Sequence, residues 1–131
     1  MKGFQFTRYV KAFETLNFTE HDAIYGDSFT IMDDAVQKIG NNVSILFRDM
    51  DFGENGATTI ELCRRSQQAN SVRIVFTDID GCEVINTVQV PGAWDYESII
   101  CPLETPLIGQ GYVTFIFLPG CDIDLSWLKF M

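Results

Sequence analysis

Few side chains in this sequence could do covalent chemistry. His21 is the only histidine, so a Ser-His-Asp or Cys-His arrangement would have to run through it. It stands between Glu20 and Asp22 in a polar stretch and is expected on the surface. Asp and Glu total 18, yet glycoside hydrolysis needs two carboxylates held across a cleft at a set separation, and no spacing in the chain places such a pair. A catalytic site requires placed roles and not merely titratable groups. The expectation is a protein without independent catalysis.

Metal and redox chemistry fare no better on spacing. Asp49, Asp51, Glu54 and Asn55 cluster within RDMDFGENG, but the D-x-[DN]-x-[DN]-G order with a distal glutamate is not met, so a solvated turn is expected. Asp78-Ile79-Asp80-Gly81 fails the same test and reads as hairpin chemistry. Cys63, Cys82, Cys101 and Cys121 are dispersed, without the close CxxC pairs of zinc or redox sites. Cys63 falls in an apolar strand pattern, where a free thiol packs as a small hydrophobe. Free thiols are expected in preference to two disulfides.

The elements that would position any site are strands. Val43, Ile45 and Phe47 alternate with Ser44 and Arg48, the period of a strand with one buried face. The same alternation recurs in Ile60 and Leu62, in Val72, Ile74 and Phe76, in Val113, Phe115 and Phe117, and in Ile123, Leu125 and Trp127. The last places Trp127 in the core. Turn signals separate the runs, among them Asp80-Gly81, Pro91-Gly92 and Pro119-Gly120. Asp80-Gly81 predicts an antiparallel hairpin through a two-residue type I′ turn. Asp33 to Ile39 is the only helical candidate, and its short, poor apolar stripe fits a loop or one irregular turn equally well. The pattern predicts an all-β, antiparallel two-sheet sandwich in a single domain over residues 1–131.

The chain of 131 residues is long enough to enclose a core. Lys and Arg number 9 against the 18 acids, a net charge of −9, which would repel a phosphate backbone or an anionic membrane surface. Neither nucleic acid nor membrane is an expected partner. The N-terminal MKGFQFTRYVKAF lacks the apolar core of a signal peptide, and the sequence is expected to be part of a longer protein, with any targeting signal upstream.

The segment IGNNVSILFRDMDFG, the strand ATTIELCRRS, the VPGAW stretch and the closing FLPGCDIDLSWLKF together resemble the family 6 carbohydrate-binding modules, over most of the chain. The resemblance implies a galactose-binding-like jelly roll attached to a glycoside hydrolase, and the closing pattern is similar to the C-terminal end of some bacterial β-galactosidase-type enzymes. It implies a sugar site on loops at one edge of the sandwich, where two aromatic rings clamp a pyranose and a polar residue near the last strand bonds its hydroxyls. A sugar's C–H face stacks on an aromatic plane while its hydroxyls need fixed partners in place of water. By this resemblance Trp94 is the first ring, in a loop after Pro91-Gly92-Ala93. The second falls near Lys38, where this chain has no ring, with Tyr25 or Tyr96 as substitutes. Asp122 or Asp124 stands in the place of the polar ligand.

The resemblance also implies a structural calcium ion. Glu14 matches its first acid, but Leu16 and Ser126 replace two others, so this site is expected to be absent or weak, and no other cofactor is implied. The expected partners are a glycan, neutral by preference given the acidic charge, and the catalytic domain of a parent enzyme. The alternative is a structural sandwich that packs against that domain without binding sugar.

Overall fold

The computed structural model describes residues 10–131. Among them the strands run β1 Leu16–Asn17, β2 Ala23–Tyr25, β3 Thr30–Ile31, β4 Val36–Ile39, β5 Ser44–Asp51, β6 Ala57–Ser66, β7 Asn70–Asp78, β8 Glu83–Val90, β9 Ala93–Leu107, β10 Gln110–Phe117 and β11 Ile123–Phe130. Two short 3-10 turns, Val10–Phe13 and Phe18–Glu20, are the only helical pieces among them.

The strands form two antiparallel sheets. One has the order β3-β4-β11-β6-β9, with β1 pairing β11 beyond β4, and the other β2-β5-β10-β7-β8. This is the antiparallel jelly-roll sandwich that the alternation implies. The inward residues of both sheets make the core, which includes Phe18, Phe47, Phe52, Phe76, Phe115, Phe117 and Phe130, all fully buried. Phe52 meets Phe130 edge-on at 5.0 Å and Phe76 at 5.3 Å, and Phe18 meets Phe115 at 5.3 Å. Edge-to-face geometry sets the positive rim of one ring against the negative face of another, which adds to plain burial.

Three local expectations are corrected. Asp33 to Ile39 is no helix or loop: its second half is β4, which pairs with β3 and β11. Trp127 is half-buried and lies outside the core cluster. A register shift between Leu125 and Trp127 changes the phase of the strand, so Leu128 and Phe130 turn inward while Trp127 sits opposite Cys63 on the outer face. The β7–β8 hairpin forms, but Thr77 pairs with Glu83 around a wider loop in which Gly81 has φ +88° and Asp80 does not enter the left-handed region. The Asp78 carboxylate captures the N–H groups of Asp80 at 2.9 Å and Cys82 at 3.0 Å. That side-chain turn replaces the two-residue type.

All four cysteines are free, with Cys82 exposed and the other three buried. Burial pushes the thiols of Cys63, Cys101 and Cys121 up from their ordinary range. No helix among the described residues is long and apolar enough to cross a membrane.

Candidate functional site

At one end of the sandwich the chain crosses from β8, in the five-stranded sheet, to β9, at the edge of the other, over Pro91-Gly92. A Cβ on Gly92 would lie 2.9 Å from the Ser66 carbonyl oxygen and 3.2 Å from that of Gln68, so glycine alone allows so close a crossing. Arg64 pins the corner from below. It is 5% exposed and donates from Nε to the Pro91 carbonyl at 2.8 Å, from Nη1 to Glu97 at 2.7 Å and from Nη2 to Gly92 at 3.3 Å. Its acceptors lie on both sides of Trp94, whose side chain stands out from the corner at 88% exposure. Trp94 is the second residue of β9 and not, as expected, a loop residue.

Across the same sheet, neighbouring strands bring a polar group to the corner. Asp124 sits opposite Arg65 in the β11–β6 register, and its Oδ2 accepts from Arg65 Nε at 3.0 Å and Nη2 at 2.9 Å. Its Oδ1 accepts from the backbone N–H of Lys38 at 2.8 Å, a residue held at φ +56°. The Arg65 guanidinium carbon lies 4.5 Å from the centre of the Tyr96 ring, and the Tyr96 hydroxyl accepts from Gln37 Nε2 at 3.2 Å. The Asp124 bond holds the Arg65 guanidinium further above its usual range.

A third group ties the adjoining loops. Ser66 Oγ lies 2.8 Å from the carbonyl oxygens of both Gln68 and Asp122, to either of which its single O–H can donate, Asn70 Nδ2 donates to Ser66 Oγ and the Gln68 carbonyl, and the Asp122 N–H donates to Asn70 Oδ1 at 2.8 Å. Gln68 Nε2 reaches the Gly120 carbonyl at 2.6 Å. The segment after β6 and the segment before β11 are therefore tied to each other by side-chain hydrogen bonds.

Between these groups lies a cleft of about 250 Å³, lined by Lys38, Arg65, Ser66, Gln67, Ala93, Trp94, Asp122 and Asp124. A second hollow of about 270 Å³ adjoins it and shares Trp94. Four of the residues singled out in the sequence, Trp94, Lys38, Asp122 and Asp124, are thus brought together. Tyr96 stands behind Arg65 and does not line the cleft. Tyr25 does not join them: it lies on β2 of the other sheet, opposite Ser44, exposed at 59%. Glu14 is exposed beyond the first 3-10 turn, and the Ser126 hydroxyl is engaged with the Asp34 carbonyl at 3.0 Å. No group of three or more His, Cys, Asp or Glu among the described residues could hold a metal ion.

Sequence reasoning missed Arg64, Arg65 and Gln67. The signal for Arg64 was present: it shares the phase of Ile60 and Leu62, so a charge falls where the strand points inward. Chemically the cleft offers one flat exposed indole, donors from Lys38, Arg65 and Gln67, and the Asp122 carboxylate as an acceptor. His21 takes no part, its Nδ1 lying 2.7 Å from the Phe18 carbonyl oxygen.

No family model and no curated protein matches the chain in sequence. Solved structures do. A Clostridium stercorarium module, CsCBM6-3, in complex with cellobiose is 21% identical with a TM-score of 0.75, covering 91% of this chain and 93% of that one. A family 6 carbohydrate-binding module from Clostridium cellulolyticum in complex with xylose is 19% identical at TM-score 0.75, covering 92% and 98%. A glycoside hydrolase family 43 arabinoxylan arabinofuranohydrolase from Bacillus subtilis, in complex with cellotetraose, matches at 19% identity and TM-score 0.70 over 92% of this chain but only 27% of its own. At these identities the likeness is one of fold.

Proposed function

We propose that this chain is a non-catalytic carbohydrate-binding module that holds a parent glycoside hydrolase on its glycan. The observation that carries the reading is Trp94, 88% exposed on a pinned corner beside a polar cleft. An indole held in water at that exposure contributes nothing to the core, whereas a pyranose C–H face laid on it would remove apolar surface from water. Lys38, Gln67 and Asp122 are then within the same cleft to meet the hydroxyls. Structures of this fold from Clostridium carry cellobiose and xylose, and the Bacillus subtilis arabinofuranohydrolase contains such a sandwich within a longer enzyme, which supports attachment to a hydrolase. Tethering makes the second encounter intramolecular, so a weak site suffices.

A second reading, packing against a catalytic domain without binding sugar, is favoured by one feature. On the outer face of the five-stranded sheet Ala23, Leu46, Thr114, Val75 and Ile85 lie in one cross-strand row, a largely apolar band with Ile85 54% exposed. Affinity electrophoresis of the domain and its Trp94→Ala variant, through gels containing soluble plant and bacterial glycans, separates the two. Retardation by a glycan, lost in the variant, is the expected result. Retardation that survives the substitution would move the site, with the hollow beside Arg48, Ile79 and Tyr112 next in line. Free migration through every gel would leave the packing reading.

A further inference from the structure

Among the charged groups of the cleft, Arg65 is held in place by its neighbours. Arg65 is gripped from two sides: the Tyr96 ring covers its plane at 4.5 Å, and Asp124 Oδ2 takes its Nε–H and one Nη2–H. Asp124 is itself held by the Lys38 N–H, and its side chain is only 18% exposed, so protein donors already engage both carboxylate oxygens and the group serves to position Arg65. A guanidinium has five N–H donors in a planar fork. Two are used here, and three remain on a side chain that is 39% exposed and lines the cleft with Trp94.

A planar fork matches two oxygens side by side. A carboxylate offers such a pair, but the Arg65 charge is already neutralised by Asp124, Asp122 lines the same cleft and the whole chain carries −9. A neutral pair suits the site better. We infer that Arg65 is a specificity-determining residue that reads two adjacent free hydroxyls of a neutral sugar stacked on Trp94, with Tyr96 and Asp124 as its positioning residues. The inference rests on the carbohydrate reading above and adds the class of sugar. Interior residues of a 1,4-linked xylan carry free neighbouring hydroxyls at C2 and C3. Interior residues of a 1,3-linked glucan do not, because C3 is in the linkage, and polygalacturonate carries the pair together with a carboxylate.

Isothermal titration with soluble xylan, a long linear β-1,3-glucan and polygalacturonate tests this on the wild type and on Arg65→Gln, Arg65→Lys and Trp94→Ala, each checked for an unaltered circular dichroism spectrum. Wild type should bind xylan about tenfold or more tighter than the other two polymers, the effect of one bidentate contact. Arg65→Gln should lose that preference, and Arg65→Lys, with charge but no fork, should not restore it. Xylan affinity unchanged in Arg65→Gln but abolished in Trp94→Ala would overturn the inference and leave the carbohydrate reading standing. Equal binding of xylan and the β-1,3-glucan by wild type would overturn it as well. Absence of binding to all three polymers, and to the wider glycan panel, would remove the reading on which it rests.

Discussion

Replacing Arg64 with alanine should loosen the corner that presents Trp94. The side chain makes two short hydrogen bonds, at 2.7 and 2.8 Å, and a long one at 3.3 Å. Hydrogen bonds involving a charged donor contribute about 1.5–3 kcal/mol each. Removing the guanidinium also removes the cost of keeping a charge at 5% exposure, and the carbonyls of the exposed residues Pro91, Gly92 and Glu97 regain some water. The net loss is about 2–3 kcal/mol, which for a chain of this size corresponds to a fall in melting temperature of about 8–12 °C. Thermal melts by circular dichroism measure this, with urea titration as a second readout. Arg64→Lys keeps the charge but cannot serve three carbonyls at once, so it should fall between the two. An alanine variant melting within about 2 °C of the wild type would refute the claim that Arg64 pins the corner.

Cys82 should be the only thiol to react rapidly with Ellman's reagent in the native protein at about pH 8, since Cys63, Cys101 and Cys121 are buried. All four should react after denaturation, and several fast native thiols would contradict the packing. Burial raises those three thiols above their unfolded value, so they keep protons that the unfolded chain releases near pH 9. Their contribution to stability is full below that range and declines as pH rises through it, which melts recorded across pH 7.5 to 10 would detect as a fall. Asn86, 1% exposed, exchanges two 2.9 Å hydrogen bonds with the backbone of Thr105 and so ties β8 to β9 across the sandwich edge. Asn86→Ala should cost about 1–2 kcal/mol in urea unfolding, because it removes both hydrogen bonds while the N–H and C=O of the exposed Thr105 regain some water. A cost below about 0.5 kcal/mol would show that water replaces the amide there.

The long strands were legible because their alternation is local. Phe47, Phe76, Phe115 and their neighbours point inward by period alone, and the sandwich follows from having both sheets' apolar faces to bury. β4 was not legible: it has four residues, follows Asp33 and Asp34, and is held by β11, which lies far away in sequence. The phase of Trp127 was hidden for a related reason, since a bulge leaves no mark on composition. At the site, the resemblance supplied Trp94, Lys38, Asp122 and Asp124 as residues that the structure gathers around one cleft. It did not supply Arg65, because the value of that residue comes from its register partner Asp124 and from Tyr96, and cross-strand neighbours cannot be read from one strand. Tyr25 was a candidate by residue type alone, and the topology assigns it to the other sheet.

The most direct measurement is quenching of Trp94 fluorescence by neutral acrylamide, made in a Trp127→Phe background so that one indole reports, with and without a glycan that the domain retains. Trp94 at 88% exposure should be quenched almost as freely as a tryptophan in solution, and bound sugar should shield it. Unchanged quenching while the glycan is bound would contradict stacking at Trp94 and the account of the site built on it.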